Sequence, residues 1–151
     1  MLFRSYKKDN LTTVNMKEYL TDLAESLVSS YGYDKDSFDL EVAVEKEMLD
    51  IDKALPIGLI INEMITNALK YAYCQVTRPF LQIQLTEDRD NNIIFLVKDN
   101  GIGINESEWL QKSNSFGKQL ITALCKQLRA KQSFLINKGT QFTITIPKQA
   151  A

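Results

Sequence analysis

The sequence predicts an α+β fold, a two-layer sandwich with helices packed on one face of a mixed sheet. Three observations carry that expectation. Apolar residues recur at helical spacing in three long stretches. Runs of strand length, alternating or apolar throughout, lie between them. Several of those runs are neighbours joined by short polar turns, the pattern of hairpins.

The first helix is expected over about 14–31, where Tyr19, Leu20, Leu23, Leu27 and Val28 repeat before Gly32 stops the run. Phe38, Leu40, Val42 and Val44 alternate, which reads as a strand with one buried face. A short strand is expected at 48–51. The second helix is expected from roughly Pro56, a residue tolerated in a first turn, to about Cys74. Strands at 80–85 and 93–98 flank the polar turn 87–92. The second of them has a continuous apolar run, Ile93 to Val97, and belongs in the centre of the sheet. A loop over 99–114 leads to a third helix at about 116–130. Runs at 132–136 and 140–146 flank Asn137-Lys138-Gly139 as a closing hairpin.

The chain has 151 residues, enough to bury one core, and shows no internal repeat. With 44% hydrophobic and 25% charged residues it has the composition of a soluble globular domain. A formal net charge of -1 supplies no general pull toward nucleic acid or anionic membrane, so no nucleic-acid partner is expected. The chain contains no histidine, and its cysteines, Cys74 and Cys125, stand apart within apolar helical patterns, which argues against a zinc site. Isolated thiols suit a reducing, cytoplasmic compartment. The first residues lack the apolar core of a signal peptide, and no run approaches the roughly 18 apolar residues of a membrane span. This piece is therefore expected outside the membrane, whatever anchors a longer parent.

The second helix holds the first chemically informative residues. Ile57, Ile61, Met64, Ala68 and Leu69 form one apolar stripe, broadened by Ile60 and Ile65. Glu63, Asn67 and Lys70 follow at i, i+4 and i+7, which puts them on one common face. On so apolar a helix they need partners. Solvent would serve, and so would a metal–phosphate group, with Asn67 offering oxygen to hydrated Mg²⁺, Lys70 facing phosphate and Glu63 acting as a base or orienting carboxylate.

Past the central strand comes Asp99-Asn100-Gly101-Ile102-Gly103. Alternate glycines let a backbone approach a flat ligand, and an acid at a strand end can accept a bond from an exocyclic amine. A tight turn with a surface aspartate fits the same residues. A Rossmann fingerprint would need glycine at Glu106, and no P-loop surrounds Gly117-Lys118. Ser115-Phe116-Gly117 opens the third helix, as a phosphate cradle or as an ordinary serine cap. Gly139-Thr140 opens the last strand.

In this order and spacing the residues resemble the histidine-kinase-type ATPase (Bergerat) fold, over about 38–147. The run from Asn62 to Tyr71 is similar to its N box, Asp99 to Gly103 to its first glycine box, and Ser115-Phe116-Gly117 with Gly139-Thr140 to the second glycine box and terminal strand. The resemblance implies ATP and Mg as cofactors. It implies Asn67 as the Mg²⁺ ligand, Asp99 at the adenine amino group and Glu63 assisting attack on the γ-phosphate. It also implies Lys70 on phosphate, Tyr71 beside adenine, Thr140 supporting the adenine site, and Gly101, Gly103 and Gly117 shaping pocket and lid. Ser115 stands where the family usually has glycine, and Lys118 where it usually has an aliphatic residue.

Only residues 104–114 separate the two glycine boxes, and no phenylalanine box stands among them. So short a lid resembles a histidine-kinase subfamily with a variant dimerisation helix pair. The resemblance implies two parts, 1–31 as the end of a dimerisation region with its connecting helix and 32–148 as the catalytic domain. It implies an acceptor histidine upstream of Met1 on the dimerisation helices of a homodimeric parent, and a response regulator as the next partner. An anti-sigma-factor-type serine kinase and a nucleotide-binding domain without transfer activity are the alternatives.

Overall fold

In a computed structural model the described residues, 5–8, 11–103, 116–136 and 138–148, build two sheets and a layer of helices. In chain order these are β1 (Ser5–Lys8), β2 (Leu11–Asn15), α1 (Met16–Ser30), β3 (Asp39–Val44), β4 (Met48–Asp50) and α2 (Ile51–Asn67). A π-helical turn, Ala68–Ala72, continues α2. Then come β5 (Phe80–Glu87), β6 (Ile93–Asp99), α3 (Phe116–Leu128), β7 (Lys131–Ile136) and β8 (Thr140–Ile146).

The main sheet runs β3-β5-β6-β8-β7. β3 lies parallel to β5 and the other neighbours are antiparallel, so the sheet is mixed and β6 is its central strand, as expected. Its buried face carries Leu81, Ile83 and Leu85 from β5, Phe95 and Val97 from β6, and Phe142 and Ile144 from β8. The alternate positions Gln82, Gln84, Thr86, Thr143 and Thr145 stay half-exposed, because successive strand residues point to opposite faces. α2 supplies most of the opposing layer through Ile57, Ile60, Ile61 and Ile65, all fully buried, with Leu20 of α1 and Ile121 of α3 in the same core.

A smaller sheet, β1-β2-β4, was not expected. β1 and β2 form a hairpin in register Ser5↔Val14 to Lys8↔Leu11, and β4 joins the far side of β2 at Val14↔Leu49. The short strand expected at 48–51 is thus present, paired with the segment leading into α1.

Helix ends follow from local chemistry. Asn15 caps α1, its Oδ1 accepting from Glu18 N–H at 3.1 Å. Gly32, at φ +89°, ends it: its own N–H reaches the Ser29 carbonyl and that of Tyr33 reaches Val28. The same double bond closes α3, but there the left-handed residue is Arg129, at φ +56°. The helix therefore stops at Leu128, short of the 130 expected. α2 starts earlier than expected, at Ile51, so Pro56 lies beyond the first turn and leaves the Asp52 carbonyl without its helical donor.

Gly58 is where α1 meets α2. A Cβ there would lie 2.6 Å from Tyr19 Cζ, so the absence of a side chain lets the Tyr19 ring lie on α2. Burial pushes the Tyr19 hydroxyl above the usual tyrosine range, and it stays neutral.

Candidate functional site

β6 carries Asp99 to its end, and the sheet keeps it 7% exposed, a buried charge among the core residues. Its Oδ1 accepts two backbone bonds, from Gly101 N–H at 2.9 Å and from Thr140 N–H at 3.2 Å. Burial pushes the carboxyl above the usual carboxylate range, and the two bonds pull it back only in part. Both described bonds fall on Oδ1.

Two glycines make this possible. Gly139 has φ +129°, and a Cβ on it would overlap the Asp99 carbonyl oxygen and lie 2.9 Å from the carbonyl carbon. Without a side chain, the start of β8 comes near enough for Thr140 to reach the carboxylate. Gly101 presses in the same way on the π turn, where its Cβ would sit 2.5 Å from that of Ala72. The N–H of Ile102 donates to the Ala72 carbonyl at 2.9 Å, fastening the glycine loop to the helix that bears Glu63 and Asn67. Gly103, at φ +81°, faces Ile136 of β7.

Glu63 and Asn67 are half-buried, one α-helical turn apart. Lys70 lies in the π turn and is exposed. Tyr71, in the same turn, is 56% exposed. Gly117, in the first turn of α3, lies against Glu63: a Cβ would overlap Oε2 and sit 2.9 Å from Cδ. The carboxylate therefore reaches the end of α3 that attracts anions. Lys118 beside it is half-buried, and Ser115 lies outside the described residues.

Tyr73 was not anticipated. It is buried, its hydroxyl donates to the Phe80 carbonyl at 2.8 Å, and its ring meets Phe38 edge-on at 5.4 Å. Burial first, then the charge of Asp99 and the neighbouring Tyr33, lift its pKa far above the tyrosine range, so it remains a donor. A helix end followed closely by a strand start, each with an aromatic residue, was the available signal. Cys74, read as part of a helical apolar pattern, is instead exposed beyond the π turn, while Cys125 is buried in α3.

The structure thus joins Asp99, Gly101 and Thr140 around one carboxylate, and Glu63 with Gly117 at the end of α3. Among the described residues no group of three His, Cys, Asp or Glu could hold a metal ion. An amide oxygen such as that of Asn67 can supply one ligand to Mg²⁺, which keeps mostly water and phosphate oxygens.

Comparisons with known proteins agree with this fold. A family model described as histidine kinase-, DNA gyrase B-, and HSP90-like ATPase matches residues 52–150. No curated protein matches the chain. Among solved structures, the histidine kinase domain of the blue-light activated histidine kinase from Erythrobacter litoralis EL346 superposes with TM-score 0.78 at 24% identity, over 89% of this chain and 61% of that one. The mycobacterial sensor histidine kinase MprB gives 0.70 at 15%, over 89% and 97%. The ATP binding domain of PrrB from Mycobacterium tuberculosis gives 0.69 at 17%, over 94% and 100%. The chain spans 61% of the length of the first of these and 42% of a longer form of the same kinase.

Proposed function

The chain belongs to the family of histidine kinase-, DNA gyrase B-, and HSP90-like ATPases, and from that premise we propose that it is the ATP-binding catalytic domain of a two-component sensor histidine kinase. The observation that supports this reading is Asp99, a buried carboxylate whose described bonds both fall on one oxygen; the other oxygen would meet an adenine amine. An amine donor in a dry site is a strong discriminator, because a base lacking it leaves the acceptor unpaired.

In this reading Asp99 and Thr140 set the base, with Tyr71 along its edge, while Gly101 and Gly103 admit it close to the backbone. Asn67 would hold Mg²⁺, which supplies charge neutralisation at the phosphates. Lys70, Ser115, Lys118 and the Gly117 amide hold the phosphate chain. Glu63 orients the attacking imidazole and accepts its proton. Phosphoryl transfer depends mainly on positioning and charge, which suits so sparse a set.

The acceptor is a histidine on the dimerisation helices of the parent, a homodimer, since the chain has none. A response regulator would then receive the phosphoryl group. Residues 1–31 join those helices to the catalytic domain at 32–148. No described helix is long and apolar enough to cross a membrane, and we place the domain in the cytoplasm, where ATP is available.

Adding the chain and Mg-ATP to a separate histidine-bearing helix pair tests the proposal. Acid-labile phosphate on the helices is expected, and none on the chain alone. Acid-stable phosphate on serine would point to the anti-sigma-factor type of kinase instead.

A further inference from the structure

The ladder between β5 and β6 ends at the pair Leu81↔Asp99. One residue further, the backbone of Asn100 leaves the sheet to enter the glycine loop, and Phe80 and Arg78 lose the strand that would satisfy them. The Asn100 side chain takes its place. Its Oδ1 accepts from Phe80 N–H at 2.8 Å, and its Nδ2 donates to the Arg78 carbonyl at 3.0 Å. An amide has the donor and acceptor geometry of a peptide unit, so this side chain supplies the missing rung.

The segment it grips is held from the other side as well. Arg78 forms a two-pronged pair with Asp39, both bonds 2.8 Å, and the Asp39 N–H donates to the Pro79 carbonyl at 2.9 Å. Tyr73 donates to the Phe80 carbonyl. Phe80 is thus a fixed point, and Asn100 is the link between it and the residue next to Asp99. Asn100 is exposed, so water competes for its amide, but two partners already fixed by the sheet make the exchange favourable.

We propose that Asn100 is a positioning residue for base recognition: by replacing the last rung, it fixes the turn that aims Asp99 Oδ2 at the exocyclic amine of a bound purine. This rests on the reading of Asp99 above. Asn100 touches no nucleotide atom in this account. Its loss should therefore erode the part of affinity that depends on the amine and spare the part that depends on phosphate.

The experiment compares calorimetric affinities for ATP and inosine triphosphate, which carries a carbonyl in place of the amine. It uses the intact chain with Mg²⁺, as wild type, Asn100→Leu, Asn100→Ala and Arg78→Ala. Wild type should prefer ATP. Both Asn100 variants should lose about fivefold or more of that preference, the worth of one hydrogen bond, with inosine triphosphate affinity nearly unchanged. Arg78→Ala, which loosens the same segment from outside, should lower the melting temperature and keep the preference. Equal weakening of both nucleotides in the Asn100 variants, or an Arg78→Ala change as large as theirs, overturns the proposal. Should Asn100→Leu not fold, Asn100→Ala, a simple truncation at an exposed position, gives the same readout. A wild type that does not distinguish the nucleotides would overturn the Asp99 reading itself.

Discussion

Gly117 lies directly against the carboxylate of Glu63, so that the first turn of α3 has room for a hydrogen where any other residue places carbon. Elsewhere in a helix, glycine to alanine stabilises by roughly 1 kcal/mol. Here we expect the Gly117→Ala methyl to displace Glu63 instead. If Glu63 is the base, ATP affinity should stay within about threefold while transfer to a histidine-bearing helix pair falls by about tenfold or more, within the range general bases supply. A transfer rate equal to wild type would remove this contact from the working site.

Asn67→Ala should abolish the magnesium dependence of ATP binding. Calorimetry with and without Mg²⁺ reads it directly, and equal magnesium dependence in both proteins would sink the ligand assignment.

Asp99 carries a pH signature. Burial raises its pKa in the fold, so the folded state resists its ionisation. The protein gains nothing from this below the unfolded aspartate value of about 3.9, where the group is protonated in both states; the cost appears as pH rises through the higher folded value. Asp99→Asn keeps an oxygen for Gly101 and Thr140 and removes the charge. Its melting temperature should exceed wild type at pH 7, with the gap closing toward pH 4, while ATP binding is lost. A gap that does not change with pH would contradict the burial cost.

Gly58→Ala should destabilise by about 1–3 kcal/mol despite the better helix former, because the added carbon meets the Tyr19 ring. Combining it with Tyr19→Ala should recover most of the loss beyond that of Tyr19→Ala alone, a coupling that denaturant melts of the four proteins would measure.

Lys118 stands at a helix end where a cation costs roughly 0.3–1 kcal/mol at an exposed site. Facing phosphate, the same charge becomes favourable. Lys118→Leu should therefore bind ATP more weakly and with less dependence on salt. Unchanged affinity at both low and high salt would place the lysine outside the site.

Much of this was legible in the sequence, and the losses have particular causes. The apolar stripe of α2 and the alternation of Leu40, Val42 and Val44 in β3 read correctly because burial on one face sets their period. Gly32 marked the end of α1, but Arg129 performs the same left-handed turn with a residue that carries no such signal. β1 and β2 pair through backbone, and Ser5-Tyr6-Lys7-Lys8 and Leu11-Thr12-Thr13-Val14-Asn15 show little apolar alternation, so no pattern announced them. Asp99, Gly101 and Gly117 stood out as residue types in order. Asn100 and Tyr73 did not, since their roles are bonds to the distant Arg78 and Phe80, set by how β5 lies beside β6. No residue pattern announced the π turn 68–72, where the helix changes its pitch at Lys70.

That change of pitch makes the pocket depend on chain length as well as on residue type. Shortening the run 68–72 by a single residue would let α2 close as an ordinary helix, and its apolar stripe could survive the event. The carbonyl that now receives Ile102 would then belong to a different residue and point elsewhere, and the glycine loop would lose its fastening. In a library of one-residue deletions, losses from the polar turn 87–92 should still yield nucleotide-binding protein, whereas those from 68–72 should fold and fail to bind. A reading frame of side chains would be intact there, and a reading frame of backbone broken.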